Sequence, residues 1–187
     1  ICDGSIRSGK TVSMTDGFIL WSMSRFNGQS FAICGKTIES LRRNVITLMP
    51  QWLEGIFSIT ERRSENKLII TSGGVTNSYY MFGGKDESSY TLVQGITLAG
   101  VLFDEVALMP RSFVEQAMAR CSVAGSKFWF NCNPENPGHW FYVEWIKKAR
   151  ERNILYLHFT MDDNLRIAPE IKARYEGMYT GVFYRRY

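Results

Sequence analysis

Three observations predict an α/β fold: a mainly parallel sheet flanked by helices, with antiparallel hairpins inserted. Short apolar runs of strand length alternate with helix-like stretches along most of the chain. A glycine-framed segment, Gly4-Ser5-Ile6-Arg7-Ser8-Gly9-Lys10-Thr11, fits G-x-x-x-x-G-K-[ST], with an apolar pair before it and a helix-like stretch after it. Well downstream, the apolar run Val101-Leu102-Phe103 ends in two acids, Asp104 and Glu105.

Taken in order, Thr11 to Phe26 reads as a helix, a weak one by propensity because of Gly17 and its serines. Asn27-Gly28 is a turn, and Ser30 to Cys34 has the length of a buried strand. Thr37 to Ser40 opens like a helix N-cap, and Leu41, Val45, Leu48 and Met49 supply an apolar face as far as Pro50. Ile59–Arg62, Lys67–Thr71 and Val75–Phe82 read as strands, separated by short polar and glycine-rich links that suit hairpins. Gly83 to Ser89 reads as a flexible polar loop, Gly100–Glu105 as a buried strand, Arg111–Arg120 as a helix and Lys127–Asn131 as a buried strand. After the proline-rich loop Cys132–Gly138 come an amphipathic aromatic helix, His139–Arg152, a strand, Ile154–Phe159, and a helix, Pro169–Tyr179.

The chemistry follows from residue types at these junctions. A loop that wraps phosphate with backbone N–H groups needs glycine where a Cβ would block the curl, so Gly4, Ser5, Ile6, Arg7, Ser8 and Gly9 are the candidate cradle. Lys10 reaches the β- and γ-phosphates and the Thr11 hydroxyl ligates Mg²⁺, which makes ATP and Mg²⁺ the expected ligands. The helix beginning near Lys10 adds its positive end to the same anion. Asp104, at the C-terminal edge of its strand, is the candidate Mg²⁺ ligand, and Glu105 the candidate base for the attacking water. Standing alone, a strand ending in solvated acids would be the simpler reading. Paired with the loop, it predicts a P-loop NTPase of the additional-strand, catalytic-glutamate type. Asn133 is the candidate γ-phosphate sensor, with Asn131 the rival and simple loop capping the alternative. Arg7, inside the loop, either acts as an arginine finger in cis or points outward and pairs with a neighbouring acid.

At 187 residues the chain is long enough for one domain with a sizeable core. No apolar run approaches the length of a membrane span, and no signal peptide is present, so no membrane partner is expected. Cys2, Cys34, Cys121 and Cys132 lack C-x-x-C spacing and read as reduced core thiols of a cytosolic protein, not as a zinc site. A net charge of +4 permits a polyanionic partner without demanding one. Both ends read as cut: a phosphate loop normally follows a longer strand than Ile1-Cys2, and the chain stops at Tyr187 without a polar tail.

The loop with its internal arginine, the stretches Leu102–Pro110 and Phe130–Pro134, His139-Trp140-Phe141-Tyr142, and Gly181 to Tyr187 together resemble the large subunit of tailed-phage terminases. The likeness runs essentially the whole length. It implies one ATPase domain over residues 1–187, truncated at its N-terminus where the family carries much of its adenine-binding segment. It also implies a ribonuclease-H-type nuclease domain after residue 187, so Asp162 and Asp163 read as loop acids. The implied activity is an ATP-driven motor in the host cytoplasm that packages double-stranded DNA into a procapsid. Its implied partners are the portal protein, the terminase small subunit and further copies in a homo-oligomeric ring. Thr37 to Val45 is similar to the family's segment linked to motor function, and Arg42 and Arg43 either lie on a solvated face or meet phosphate or DNA; with Lys85 they are the candidate DNA contacts, away from the assigned phosphate site. The runner-up is a helicase-like or other P-loop translocase, although no arginine-rich late helicase motif is found.

Overall fold

Strands β1 (Cys2–Gly4), β2 (Ser30–Gly35), β3 (Ser58–Arg62), β4 (Lys67–Ser72), β5 (Val75–Gly83), β6 (Gly100–Phe103), β7 (Lys127–Cys132) and β8 (Leu157–Phe159) form one sheet. Their order is β3-β4-β5-β2-β6-β7-β1-β8. The structure is a computed structural model that describes residues 1–133 and 136–178. Pro134, Tyr179 and the segment 181–187 of the resemblance lie outside the described residues.

From β5 to β8 every neighbouring pair is parallel, and β3-β4-β5 form an antiparallel meander at one edge. The predicted architecture is therefore the observed one, with the hairpins continuous with the main sheet. Register pairs Cys34 with Phe103, Phe103 with Phe130, and Cys2 with Asn131, which brings the ends of β2, β6, β7 and β1 to one edge. Parallel strands of an open sheet place ligands at that carboxyl edge.

Side-chain alternation builds a core on each face. In β2, Phe31 and Ile33 join a cluster with Phe18, Ile19, Tyr79 and Leu102, while Ala32 and Cys34 join Val101, Phe103, Phe113 and Phe130 opposite. Helix α1 (Lys10–Arg25) covers the first face, burying Met14, Phe18 and Ile19 at helical spacing. Gly17, unfavourable by propensity, lies beneath Trp129, where an added Cβ would sit 3.2 Å from the ring. Helix α4 (Arg111–Ala119) buries Phe113, Val114 and Ala117.

Where structure and pattern differ, the causes are local. The single helix expected from Thr37 to Pro50 is three pieces: α2 (Ile38–Leu41), a π-helical turn (Arg42–Ile46) and α3 (Met49–Leu53). Pro50 does not end a helix but sits in the first turn of α3, where its missing N–H costs nothing. The expected flexible loop is ordered at its end, since Asp86 accepts from Ser88 N at 3.0 Å and caps a 3₁₀ helix, Glu87–Val93. The aromatic stretch after His139 is a π-helical turn, Tyr142–Ile146, closed by Lys147 N donating to Tyr142 O at 2.9 Å. Widening lets Phe141 and Trp145 both reach Phe130, at 5.2 and 4.9 Å between ring centres. The last strand shortens to Leu157–Phe159, and α5 spans Pro169–Met178.

The predicted cap at Thr37 is present: its hydroxyl accepts from Ser40 N at 3.1 Å and Ser40 Oγ accepts from Thr37 N at 3.2 Å. Thr37→Ala should lower unfolding free energy by about 1 kcal/mol. A thermal melt should then fall by a few degrees, and an unchanged melting temperature would refute the cap's contribution.

Candidate nucleotide-binding site

Strand β1 delivers the chain to the loop against β8. Gly4 has φ 134°, and an added Cβ would lie 1.8 Å from Phe159 O, so this close approach admits no side chain. Ser5 N then donates to the same carbonyl at 3.0 Å. Arg7 (φ 60°) and Gly9 (φ 86°) occupy left-handed conformations that curl the backbone into a concave loop, and Ser8 Oγ closes it onto Ser5 O at 2.8 Å. Helix α1 starts immediately, with no side-chain cap and no acid in its first turn, so its free N–H groups face the loop mouth.

Lys10 is buried inside this curl. Its Nζ donates to Ser5 O, to Gly4 O and Ser8 Oγ at 3.2 Å each, and to Asn133 Oδ1 at 3.0 Å. Burial lowers the ammonium pKa, opposed by Cys132, Asp3 and Asp104. Asp104 follows β6, held by its N–H to Cys34 O at 2.8 Å. Its Oδ1 accepts from Asn131 Nδ2 at 2.6 Å and Thr11 Oγ1 at 3.3 Å, and Asn131 Nδ2 also reaches Thr11 Oγ1 at 2.9 Å. Asn131 Oδ1 is buried with no hydrogen-bond partner. Glu105 turns left-handed (φ 56°), and its carboxylate makes no hydrogen bond or ion pair among the described residues.

These groups line one cavity of about 830 Å³, together with Arg7 and Asn133. The structure thus brings Ile6 to Thr11 together with both acids and both asparagines, while Gly4 and Ser5, also expected in the cradle, do not line the cavity. Asn131 and Asn133 divide the work: the first holds Asp104 and Thr11, the second holds Lys10. Arg7 is exposed, and its Nε donates to Tyr175 on α5 at 3.2 Å instead of pairing with an acid.

One wall of the cavity escaped the sequence reading, and a second contains Arg43, which that reading placed elsewhere. Asn164, Arg166, Ile167 and Tyr175 form one, and Asn164 Nδ2 donates to Arg7 O at 2.6 Å. Arg43, Asn44, Leu48 and Trp52 form the other. Neither carries a local motif. Arg43 therefore does not lie away from the phosphate site as expected. Arg42, by contrast, is not a free cation: its guanidinium donates to Glu61 at 2.9 Å and to Asn66 Oδ1 at 2.8 Å. Lys85 is exposed. Asp163 caps Thr160 N at 2.6 Å, and Asp162 pairs with Lys172. Asp3, another residue sequence reasoning passed over, accepts from Tyr156 OH and faces His158 Nδ1, both at 2.8 Å, tying β1 to β8.

Burial lifts the Asp104 carboxyl to about 6, with the Glu105 charge adding and Asn131, Thr11 and Lys10 opposing. Unfolded, the same group titrates near 3.8. Between these values the folded state keeps a proton that the unfolded state has lost. This contribution to stability is present below pH 4 and lost as pH rises through 6, a decline of about 3 kcal/mol. Asp104→Asn should thus melt higher than the parent at pH 8 without divalent cation, the gap closing near pH 4. Equal melting at pH 8 would refute a desolvated carboxylate.

The family model "Terminase large subunit, T4likevirus-type, N-terminal" matches residues 1–182. The large terminase of a thermophilic bacteriophage is similar over 100% of this chain and 46% of its own, at 58% identity and TM-score 0.95. The same phage terminase in complex with ADP matches at 56% identity and TM-score 0.95, over 100% of this chain and 46% of that one. Its complex with ATP-gamma-S matches at 55% and 0.92, over 100% and 45%. The chain thus spans about half the length of these relatives. The large terminase ATPase domain of Thermus phage P74-26 shares the fold, with TM-score 0.71 and 16% identity over 100% of this chain and 85% of that one. No match to a curated protein was found. With the family model covering nearly all of it, the chain belongs to the terminase large subunit family, and corresponds to its N-terminal part.

Proposed function

We propose that this chain is the ATPase motor domain of a phage terminase large subunit, hydrolysing ATP to drive double-stranded DNA into a procapsid. The observation that carries the reading is the convergence of Lys10, Thr11, Asp104 and the unpaired Glu105 on one cavity at the N-terminus of α1. The relatives solved with ADP and ATP-gamma-S support it. The family also disfavours the helicase-like alternative.

In this reading the loop N–H groups and the start of α1 bind the phosphates, and Lys10 exchanges its loop carbonyls and Asn133 for phosphate oxygens. Asn133, released by that exchange, reports the state of the site as the γ-phosphate sensor. The oxygen donors of Thr11 and Asp104, beside the orphaned Asn131 Oδ1, suit a hard cation, so these two residues would hold Mg²⁺. When bound, Mg²⁺ neutralises charge developing on the phosphate oxygens. Glu105 orients water for attack on the γ-phosphorus and accepts its proton. Acting as a finger in cis, Arg7 would exchange its bond to Tyr175 for the γ-phosphoryl group.

The proposed partners are duplex DNA, the small subunit, the portal and further copies in a ring, in the host cytoplasm; a nuclease domain beyond residue 187 belongs to the same reading. Of the three candidate duplex contacts, Lys85 remains. The test is reconstitution: full-length protein, cognate procapsids and ATP should convert added duplex into nuclease-protected DNA. Hydrolysis without protected DNA would overturn the packaging assignment, and absent hydrolysis would overturn the motor.

A further inference from the structure

We propose that Arg43 contacts the terminal phosphoryl group of a bound nucleoside triphosphate, so that the segment between β2 and α3 distinguishes tri- from diphosphate. The inference rests on the ATPase reading above and names a contact that reading lacks. Four observations carry it.

Arg43 lines the same cavity as Lys10 and Glu105. Sheet order decides which end of a nucleotide it meets. Strand β6 lies next to β2, so the segment leaving β2 adjoins Asp104 and Glu105, the hydrolytic end. The Asn164–Tyr175 wall comes from the chain beyond β8, on the far side of the loop.

The guanidinium is also uncommitted. Among the described residues it has no carboxylate partner, and its one hydrogen bond is a long contact from Nε to Asn44 Oδ1 at 3.4 Å. Its neighbour is the opposite case. Arg42 is bound to Glu61, to Asn66 and to Arg63 O, which fixes it to the β3–β4 hairpin. Two adjacent arginines thus face different ways, one as an anchor and one as an open cation on the cavity wall.

Neighbours on any helix point about 100° apart, so the two side chains reach different surfaces. Both belong to the π-helical turn closed by Thr47 N donating to Arg42 O at 2.8 Å. A π turn adds a residue to the helical repeat and re-aims the side chains within it, and such turns concentrate at functional sites. The turn and α3 pack on α1, the helix whose N-terminus faces the phosphates. A planar, permanently charged fork matches a phosphoryl group bidentately.

The experiment uses the full-length chain, with ADP and ATP-gamma-S as titrants and single-turnover ATP hydrolysis. Arg43→Ala should leave ADP affinity within about twofold of the parent, weaken ATP-gamma-S about tenfold, and slow hydrolysis about 10²-fold. Arg43→Lys should recover part of the loss, since charge returns but the fork does not. Arg43→Gln serves in place of Arg43→Ala if that protein does not fold. Parental hydrolysis with a parental ratio of the two affinities would overturn the proposal. Equal weakening of both nucleotides would overturn it too, since the arginine would then only shape the wall. Lys10→Ala separates the two levels. If it loses both nucleotides while the Arg43 variants behave as the parent, this contact falls and the ATPase site stands. If it keeps both, the site assignment falls and takes this contact with it.

Discussion

Glu105→Gln is expected to slow single-turnover ATP hydrolysis by about 10²–10⁴-fold, the usual worth of a positioned acid–base group. That corresponds to about 3–5 kcal/mol of barrier. The structure makes the substitution unusually clean. The Glu105 carboxylate bonds to nothing among the described residues, so exchanging one oxygen for an amide breaks no contact. The left-handed backbone at φ 56° is tolerated by either residue at similar cost. Ground-state affinity for ATP should hardly move, because water activation matters in the transition state. Binding and hydrolysis are measured on the same preparation. A Glu105→Gln protein that turns over ATP at the parental rate would end the catalytic reading of this residue.

Lys10→Ala is expected to weaken MgATP binding by at least about 10²-fold, the worth of a buried charge-assisted hydrogen bond to phosphate. The ammonium is already desolvated and pre-positioned by Gly4, Ser5 and Asn133, so little reorganisation offsets the contact it offers. The fold should survive. Removing a buried cation relieves its desolvation, and the price is a few loop acceptors left short of a donor. Calorimetric titration of the folded variant decides: undiminished affinity would sink the assignment of Lys10, and with it the loop's role in holding phosphate.

Much of this site was legible because its signals are local. The loop needs glycine and lysine at fixed offsets, and the acid must follow an apolar strand, so Gly4 to Thr11 and Asp104-Glu105 could be read from neighbouring residues alone. The sheet followed from the same alternation. What stayed hidden depends on tertiary partners. Arg42 and Arg43 are adjacent and chemically identical, yet one meets Glu61 across a hairpin and the other faces the cavity. A helical pattern sets the angle between them, not which partner each one meets. Pro50 misled for a related reason: proline forbids the middle of a helix but suits its first turn, and only the break before Met49 separates the cases. The wall from Asn164 to Tyr175 reaches the loop through Asn164 to Arg7 O, a contact between residues far apart in sequence that no motif encodes.

The strand ends that carry this site also carry thiols: Cys2 on β1, Cys34 on β2 and Cys132 on β7, all buried. Burial pushes Cys132 up to about 12 and raises Cys2 and Cys34 as well. At neutral pH only about one Cys132 in 10⁵ is then a thiolate, the form that reacts with electrophiles. Oxidants and alkylating agents must therefore wait for the sheet to part before they can modify it. The reactivity of these sulfurs keeps time on the opening of the fold, and any ligand that bridges β1, β6 and β7 slows that clock in proportion to its occupancy.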